Sequence, residues 1–374
     1  MKYCKKCVQP DTRPGIHFNE EGICGACLFE EEKTQIDWDS REKELKEISE
    51  WTKQKALENN SNYDSVIGVS GGKDSTFQAL YARDTLGLRP LLVNCEPDGI
   101  TEIGRRNIEN LKNLGFDTIM LRSNPKITRK VAKKDFMEFL NPVKATDMLL
   151  WVSAYIIADK LDIPLVIQGE NPALTLGVSR TMTPDGNALN VLQQNSLATG
   201  WERYISNGVE KGDLFMFRFD MASLLRKGTK GVWLQYYVKE WSPRHNVAFS
   251  TKHGLTIRPE NFNPEHIGTY VPFFQLDSDL VQVNQLLKYV KFGFGQCTDH
   301  ACYDIREGII TREQGIELVK KYDGKCAEKY VKKFCEYIGA SLDEFWEVAN
   351  SFRGEMWEKA ADGQWSLKDP IWEQ

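Results

Sequence analysis

One short segment constrains this chain more than any other: Val69-Ser70-Gly71-Gly72-Lys73-Asp74-Ser75. Asp64–Val69 before it is an apolar run that reads as a buried strand. After it, a helical pattern runs from about Ser75 to Leu86 and is stopped by Gly87. A helix N-terminus presents free N–H groups and the positive end of the helix dipole, which suit an anion. Two glycines let the backbone come close to a phosphate. Ser70 and Ser75 offer hydroxyls and Lys73 a positive charge. Asp74 would be repelled by bare phosphate, so it is assigned to a bridging Mg²⁺. The segment is not a Walker A loop, which needs glycine where Ile67 stands and Ser or Thr where Asp74 follows Lys73. An ordinary glycine turn is the competing reading, and the full hexad in a strand–helix setting argues against it.

The flanking pattern gives the fold class. Strands are expected at Arg89–Cys95, Phe116–Leu121 and Pro164–Gln168, with helices over 101–114, 127–140 and 146–161 between them. Alternation of this kind implies crossover connections and an α/β fold with a parallel sheet covered on both faces. In such a fold ligands bind beyond the carboxyl ends of the strands, which is where the glycine loop sits. Beyond about residue 200 the pattern weakens, and helical periodicity returns at 278–292, 311–322 and 326–350. The expected organisation is a cysteine module over 1–35, a linker helix over 36–60, the α/β domain over 61–270 and a helical C-terminal region over 271–374.

Residues 1–35 are too short and too poor in aliphatics to form a core unaided. Cys4-Lys5-Lys6-Cys7 and Cys24-Gly25-Ala26-Cys27 are two CxxC pairs separated by sixteen residues, a pattern suited to tetrahedral Zn²⁺ in a closed structural site. Metal binding would supply the missing folding energy. A redox pair is the weaker alternative, and His17 reads as a loop residue. Cys95 sits on an apolar strand and reads as core, while Cys297 and Cys302 flank a polar stretch. Nine cysteines in 374 residues, with no apolar signal segment at the start, fit a cytoplasmic protein better than a disulfide framework. No run of about 18 apolar residues exists to span a membrane. A net charge of −5 argues against a general nucleic-acid surface.

The C-terminal region carries Phe292-Gly293-Phe294-Gly295-Gln296-Cys297-Thr298-Asp299-His300, then Tyr303-Asp304-Ile305-Arg306. Thr311 and Gln314 form a capping-box pattern at the start of a helix. His300 and Arg306 could offer a cationic or proton-transferring edge to the active site, or could belong to a polar loop before a capped helix. The residues alone leave these even.

The hexad resembles the pyrophosphate loop of the N-type ATP pyrophosphatases, which include GMP, NAD and asparagine synthetases and the tRNA-thiolating enzymes. Together with the paired CxxC motifs, the opening Tyr3–Gly15 and the C-terminal stretch, it is similar to the N-acetyl sugar amidotransferase family, the WbpG- and PseA-like proteins of surface-glycan synthesis. The similarity spans most of the chain, is patchy over 172–270, and departs from the family at Cys297, where alanine is usual. It implies a parallel-sheet ATP pyrophosphatase domain that cleaves ATP to AMP and pyrophosphate. By this resemblance Lys73, Asp74 and Glu170 are catalytic. Ser70, Gly71, Gly72, Lys73, Asp74 and Ser75 hold the phosphates, and the Val93-Asn94 backbone faces adenine. ATP, Mg²⁺ on Asp74 and Zn²⁺ on Cys4, Cys7, Cys24 and Cys27 are the implied cofactors. The implied reaction turns an acetamido group of a nucleotide-activated sugar into an acetamidino group. The chain shows no glutaminase of its own, since Lys2 follows Met1 where a class II enzyme needs cysteine. Partners like the glutaminase HisH and the cyclase HisF are therefore implied. Arg180, Trp201, Arg203, Arg244 and His245 are candidates for the sugar nucleotide, each individually more consistent with a surface or packing role. The rival is a tRNA sulfurtransferase, which needs a cysteine or iron–sulfur cluster near the loop and a basic RNA-binding face.

Overall fold

A computed structural model describes residues 1–195, 198–206 and 208–374. Its centre is a five-stranded sheet of β1 (Ser65–Gly68), β2 (Pro90–Cys95), β3 (Thr118–Leu121), β4 (Leu165–Gln168) and β5 (Lys230–Trp233), in the order β3-β2-β1-β4-β5. Every pairing is parallel, with Ile67 beside Leu92 on one side and Ile167 on the other. Successive side chains point to opposite faces. Val66, Leu91, Val93 and Val166 therefore face the helix Lys144–Lys160 in one core, while Ile67, Leu92 and Ile167 face Leu45, Phe77 and Leu80 in another. Both faces are covered, as strands with no polar alternation require. The fold class is thus a parallel-sheet α/β domain, as expected, with a cysteine module before it and helices after it.

Most expected elements form close to their expected bounds. The helix after the glycine pair starts at Lys73, two residues earlier than expected, because Gly72 is extended and serves as its N-cap. Thr101 caps Glu102–Asn113 by accepting the Gly104 N–H at 2.9 Å. The 326–350 pattern divides into Glu328–Ile338 and Leu342–Ser351, parted at Gly339 in a left-handed conformation (φ 64°). The Thr311–Gln314 capping box is present in both directions. Elements not expected include β5, the helices Pro243–Lys252 and Gln296–Arg306, and the antiparallel pair Trp357–Lys359 with Trp365–Leu367.

The C-terminal helices form two further cores. Leu280–Phe292, Glu328–Ile338 and Leu342–Ser351 close over Phe136 of the helix Pro125–Phe139. Gln296–Arg306 and Arg312–Tyr322 pack on the cysteine module. Asp299 ties these parts together: Arg13 of the module pairs with one oxygen, and Lys288 donates to the other at 2.5 Å. No helix among the described residues is long and apolar enough to cross a membrane.

Candidate active site

Strand order reverses direction around β1: the chain moves outward to β2 and β3, then returns to place β4 on β1's other side. A crevice opens at such a switch point, beyond the carboxyl ends of the two central strands. Here β1 runs into the glycine loop, and β4 into Gly169-Glu170-Asn171. Gly71 is left-handed (φ 77°), and a Cβ there would lie 3.1 Å from both the Asn107 Cβ and the Ile108 nitrogen. Only glycine fits that position without moving its neighbours. The Gly72 N–H donates to Ser70 Oγ at 3.3 Å, and the Ser75 hydroxyl to the Gly72 carbonyl at 3.2 Å. The Lys73 carbonyl accepts from Ser250 at 2.8 Å. The Lys73 side chain is only 3% exposed; its ammonium pairs with Asp74 and lies 4.0 Å from the centre of the Phe274 ring.

Two lobes meet at the loop. One of about 540 Å³ runs toward the end of β4 and is lined by Trp151, Gln168, Glu170 and Trp233. The other, of about 300 Å³, runs between the loop and the C-terminal region and is lined by Asn107, Phe274, Asp277 and Asn284. Ser70, Asp74, Asp147, Leu150 and Gln275 belong to both. The cleft is therefore acidic. Burial, reinforced by Asp74 and opposed by Lys73, pushes Glu170 up to about 7. Burial also carries Asp147 to about 7, with Lys144 opposing, and lifts Asp277 above the usual carboxylate range. A cleft that disfavours further negative charge accepts a polyphosphate best together with a cation.

The residues present fit such a cation. Asp74 accepts from Asn246 Nδ2 at 2.8 Å, and the buried Asn246 Oδ1 has no partner, so carboxylate and carbonyl oxygens of the type Mg²⁺ favours are concentrated there. The four cysteines fit a second metal. All four are buried, and their sulfurs lie within 4.8 Å of one another. Cys4–Cys27 and Cys7–Cys24 are separated by 3.9 and 3.7 Å. Tetrahedral Zn²⁺ with bonds of about 2.3 Å has sulfur–sulfur edges of about 3.8 Å.

The Val93-Asn94 strand end lies beside the loop. The Val93 carbonyl accepts the Val69 N–H at 2.8 Å and the Asn94 amide donates to the Val69 carbonyl at 2.7 Å, so this strand end braces the loop. His300 is not a cationic edge. It is buried, hydrogen-bonded to Thr269 at 2.6 Å and stacked on Phe274 at 4.0 Å, and burial lowers its pKa to about 3. Arg306 turns to the Thr175 carbonyl at 3.1 Å. The five sugar candidates line neither lobe: Arg244 is bound by Asp304 at 2.9 and 2.5 Å, Trp201 packs on the core, Arg203 lies over Tyr204, and Arg180 and His245 are exposed. Asp147, Trp151, Trp233 and Phe274 were missed. They come from separate segments with no local motif, and only the sheet order brings them together.

Comparison with known proteins adds a family. Residues 261–369 match the family described as LPS biosynthesis protein WbpG-like, C-terminal domain. Among solved structures, NMN synthetase from Francisella tularensis is 15% identical, with a TM-score of 0.30, covering 61% of this chain and 100% of its own. The U34-tRNA thiolase NcsA from Methanococcus maripaludis, solved with its 4Fe-4S cluster, is 13% identical, with a TM-score of 0.31, covering 91% of this chain and 98% of its own. Likenesses this loose carry no argument about function. No curated protein matches the chain. The matched region, 109 of the 374 residues, includes Phe274, whose ring lies over Lys73 of the glycine loop in the sheet domain before it.

Proposed function

We propose that this chain is an ATP-dependent amidotransferase that converts an acetamido group of a nucleotide-activated sugar to an acetamidino group. The observation that carries the reading is the junction of the two lobes. The WbpG-like region supplies Phe274, Gln275, Asp277 and Asn284 to the wall facing the phosphate loop. A domain of surface-glycan type thus forms one side of the space where an acceptor must meet the α-phosphate. The substrate this favours is a UDP-diacetamido sugar, with UDP-2,3-diacetamido-2,3-dideoxy uronic acid the first to test, in the synthesis of lipopolysaccharide O-antigen or a related glycan.

The reaction begins with the acetamido oxygen, a poor leaving group. It attacks the α-phosphorus of ATP, an O-adenylyl imidate forms, and pyrophosphate leaves. Ammonia adds to the imidate carbon, and the C–O bond to AMP breaks to leave the amidine, which keeps the added proton. In this reading the backbone N–H groups of the loop hold the phosphates, and Lys73 neutralises charge that builds between the α- and β-phosphates. Mg²⁺ on Asp74 supplies further charge neutralisation when bound. Glu170, half-buried and lining the lobe just past β4, is the proton acceptor of this reading. The Zn²⁺ module has a structural role, and the ammonia comes from partners like HisH and HisF, in the cytoplasm.

The rival tRNA thiolation enzyme needs a thiol or cluster at the loop. Among the described residues no cysteine lines either lobe: Cys95 donates to the Leu149 carbonyl, Cys297 to that of Leu318, and Cys302 lies beside Cys7. The test is pyrophosphate release from ATP, Mg²⁺ and ammonium, with UDP-diacetamido sugars and unmodified tRNA as alternative acceptors. Stimulation by the sugar alone supports the proposal. Stimulation by tRNA alone, with a sulfur donor, overturns it.

A further inference from the structure

The helix Pro243–Lys252 lies before the region matched to the WbpG-like family, which begins at residue 261, and far along the chain from the phosphate loop. It nevertheless touches the loop at both of its charged residues, Lys73 and Asp74. Ser242 caps it by accepting the His245 N–H at 3.1 Å, and Pro243 takes the first helical position. An aromatic seam seats it along the helix Lys73–Leu80: Phe77 meets the rings of Trp241, His245 and Phe249 edge-on, with centroids 5.5, 5.5 and 5.1 Å apart.

Two polar residues lie beside this seam. Asn246 and Ser250 are one turn apart, so they share a helix face, and both are 0% exposed. Asn246 donates from Nδ2 to one carboxylate oxygen of Asp74 at 2.8 Å, and Ser250 donates to the Lys73 carbonyl at 2.8 Å. The other Asp74 oxygen faces the Lys73 ammonium. Asp74 lines both lobes of the cleft and Asn246 lines neither, so Asn246 reaches a ligand there through Asp74. The amide oxygen of Asn246 is buried without a partner. Burying an amide in that state costs stability that a leucine of similar volume would not lose. What the position supplies in return is the N–H donor on Asp74.

We infer that Asn246 is a positioning residue for the cation on Asp74. The inference rests on the ATP and Mg²⁺ reading of the loop and adds to it the residue that orients the carboxylate. An unheld aspartate turns about two side-chain torsions. Held at one oxygen by a buried amide, Asp74 offers its other oxygen in one direction only. Ser250, bonded to the Lys73 carbonyl from the same helix, keeps the backbone that carries Asp74 in place. The loop is thus supported by a part of the chain that carries none of its motif.

ATP binding is measured by calorimetry on the full chain, once in saturating Mg²⁺ and once in EDTA. Asn246→Ala should weaken binding of ATP with Mg²⁺ by about 10- to 100-fold and leave binding of metal-free ATP within about twofold, because the partner of a metal ligand acts through the metal. Asn246→Leu, which keeps the volume and buries no polar atom, should show the same split, and serves where the alanine variant does not fold. Phe249→Leu weakens the seam against Phe77 on the same helix and is the control. It should lower the melting temperature and leave both affinities within about twofold. A folded Asn246 variant whose two affinities are unchanged, or fall together, overturns the positioning role. So does a Phe249→Leu protein that loses affinity in Mg²⁺ as Asn246→Ala does. A wild-type chain that binds ATP equally well in Mg²⁺ and in EDTA overturns the assignment of the cation to Asp74 and the inference with it. A wild type that binds no ATP under either condition overturns the reading of the loop itself. No acceptor is present, so none of these outcomes depends on which substrate the enzyme modifies.

Discussion

Replacing Glu170 with glutamine should make the protein more stable and less active, and the gain should depend on pH in a defined way. The Glu170 carboxyl titrates at about 7 in the folded chain against 4.5 as its ordinary value, because burial and Asp74 oppose its charge more than Lys73 favours it. A raised carboxyl contributes its stability fully below about 4.5 and loses it as pH rises through about 7. The difference, taken in full, sets a ceiling of about 3.4 kcal/mol at pH 8. The cleft is open to water, so about half of that, roughly 1.5–2 kcal/mol, is the figure to expect. Urea unfolding of wild type and Glu170→Gln, without nucleotide or Mg²⁺, reads it directly. The two proteins should be nearly equal at pH 4.5, part between pH 5 and 7, and differ by the full amount at pH 8 with the variant ahead. Pyrophosphate release by the variant should fall by about a hundredfold. A variant no more stable than wild type at pH 8, or a gap that narrows as pH rises, would refute the reasoning.

The remaining expectations concern the metal module, the loop and the link between domains. Purified protein should carry one Zn²⁺ per chain by elemental analysis, and stripping it under denaturant-free conditions should lower the melting temperature and expose residues 1–32 to protease, since the metal supplies the module's folding energy. Asp299→Asn leaves the charges of Arg13 and Lys288 uncompensated, both less than 20% exposed, and should cost about 3–5 kcal/mol in denaturant unfolding. Gly71→Ala forces a side chain into a left-handed position against Asn107 and Ile108, and should cost about 1–2 kcal/mol. It should also weaken ATP binding by calorimetry, because the backbone can no longer approach the phosphates.

What was legible in the sequence was whatever lies in one stretch of chain. The loop 69–75 announces itself because strand, glycines and helix are contiguous, and the cysteine pairs because each is one turn. Glu170, two residues past the strand Leu165–Gln168, was a candidate through the family resemblance and not through a local pattern. The strand β5 was missed because only Val232 and Trp233 of its four residues are large and apolar, and its place at the sheet edge is fixed by pairing with β4 and not by local pattern. Asp147 was hidden inside a helix whose other buried residues are apolar, and its role at the junction depends on where β1 and the 275 region sit. His300 failed for the opposite reason. It stands in a conspicuous polar motif, but the helix Gln296–Arg306 turns it inward, where the Phe274 ring separates it from Lys73. A motif shows which residues are constrained; packing decides whether the constraint is chemical or structural.

The central claim is tested most directly by the mass of the sugar product. The full chain is incubated with ATP, Mg²⁺, ¹⁵N-ammonium and a UDP-diacetamido sugar, and the sugar nucleotide is recovered. Replacement of one acetamido oxygen by a labelled nitrogen, matched by one AMP and one pyrophosphate per product, is the predicted result. Recovery of the sugar unlabelled, while tRNA and a sulfur donor release pyrophosphate in the same preparation, would contradict the account.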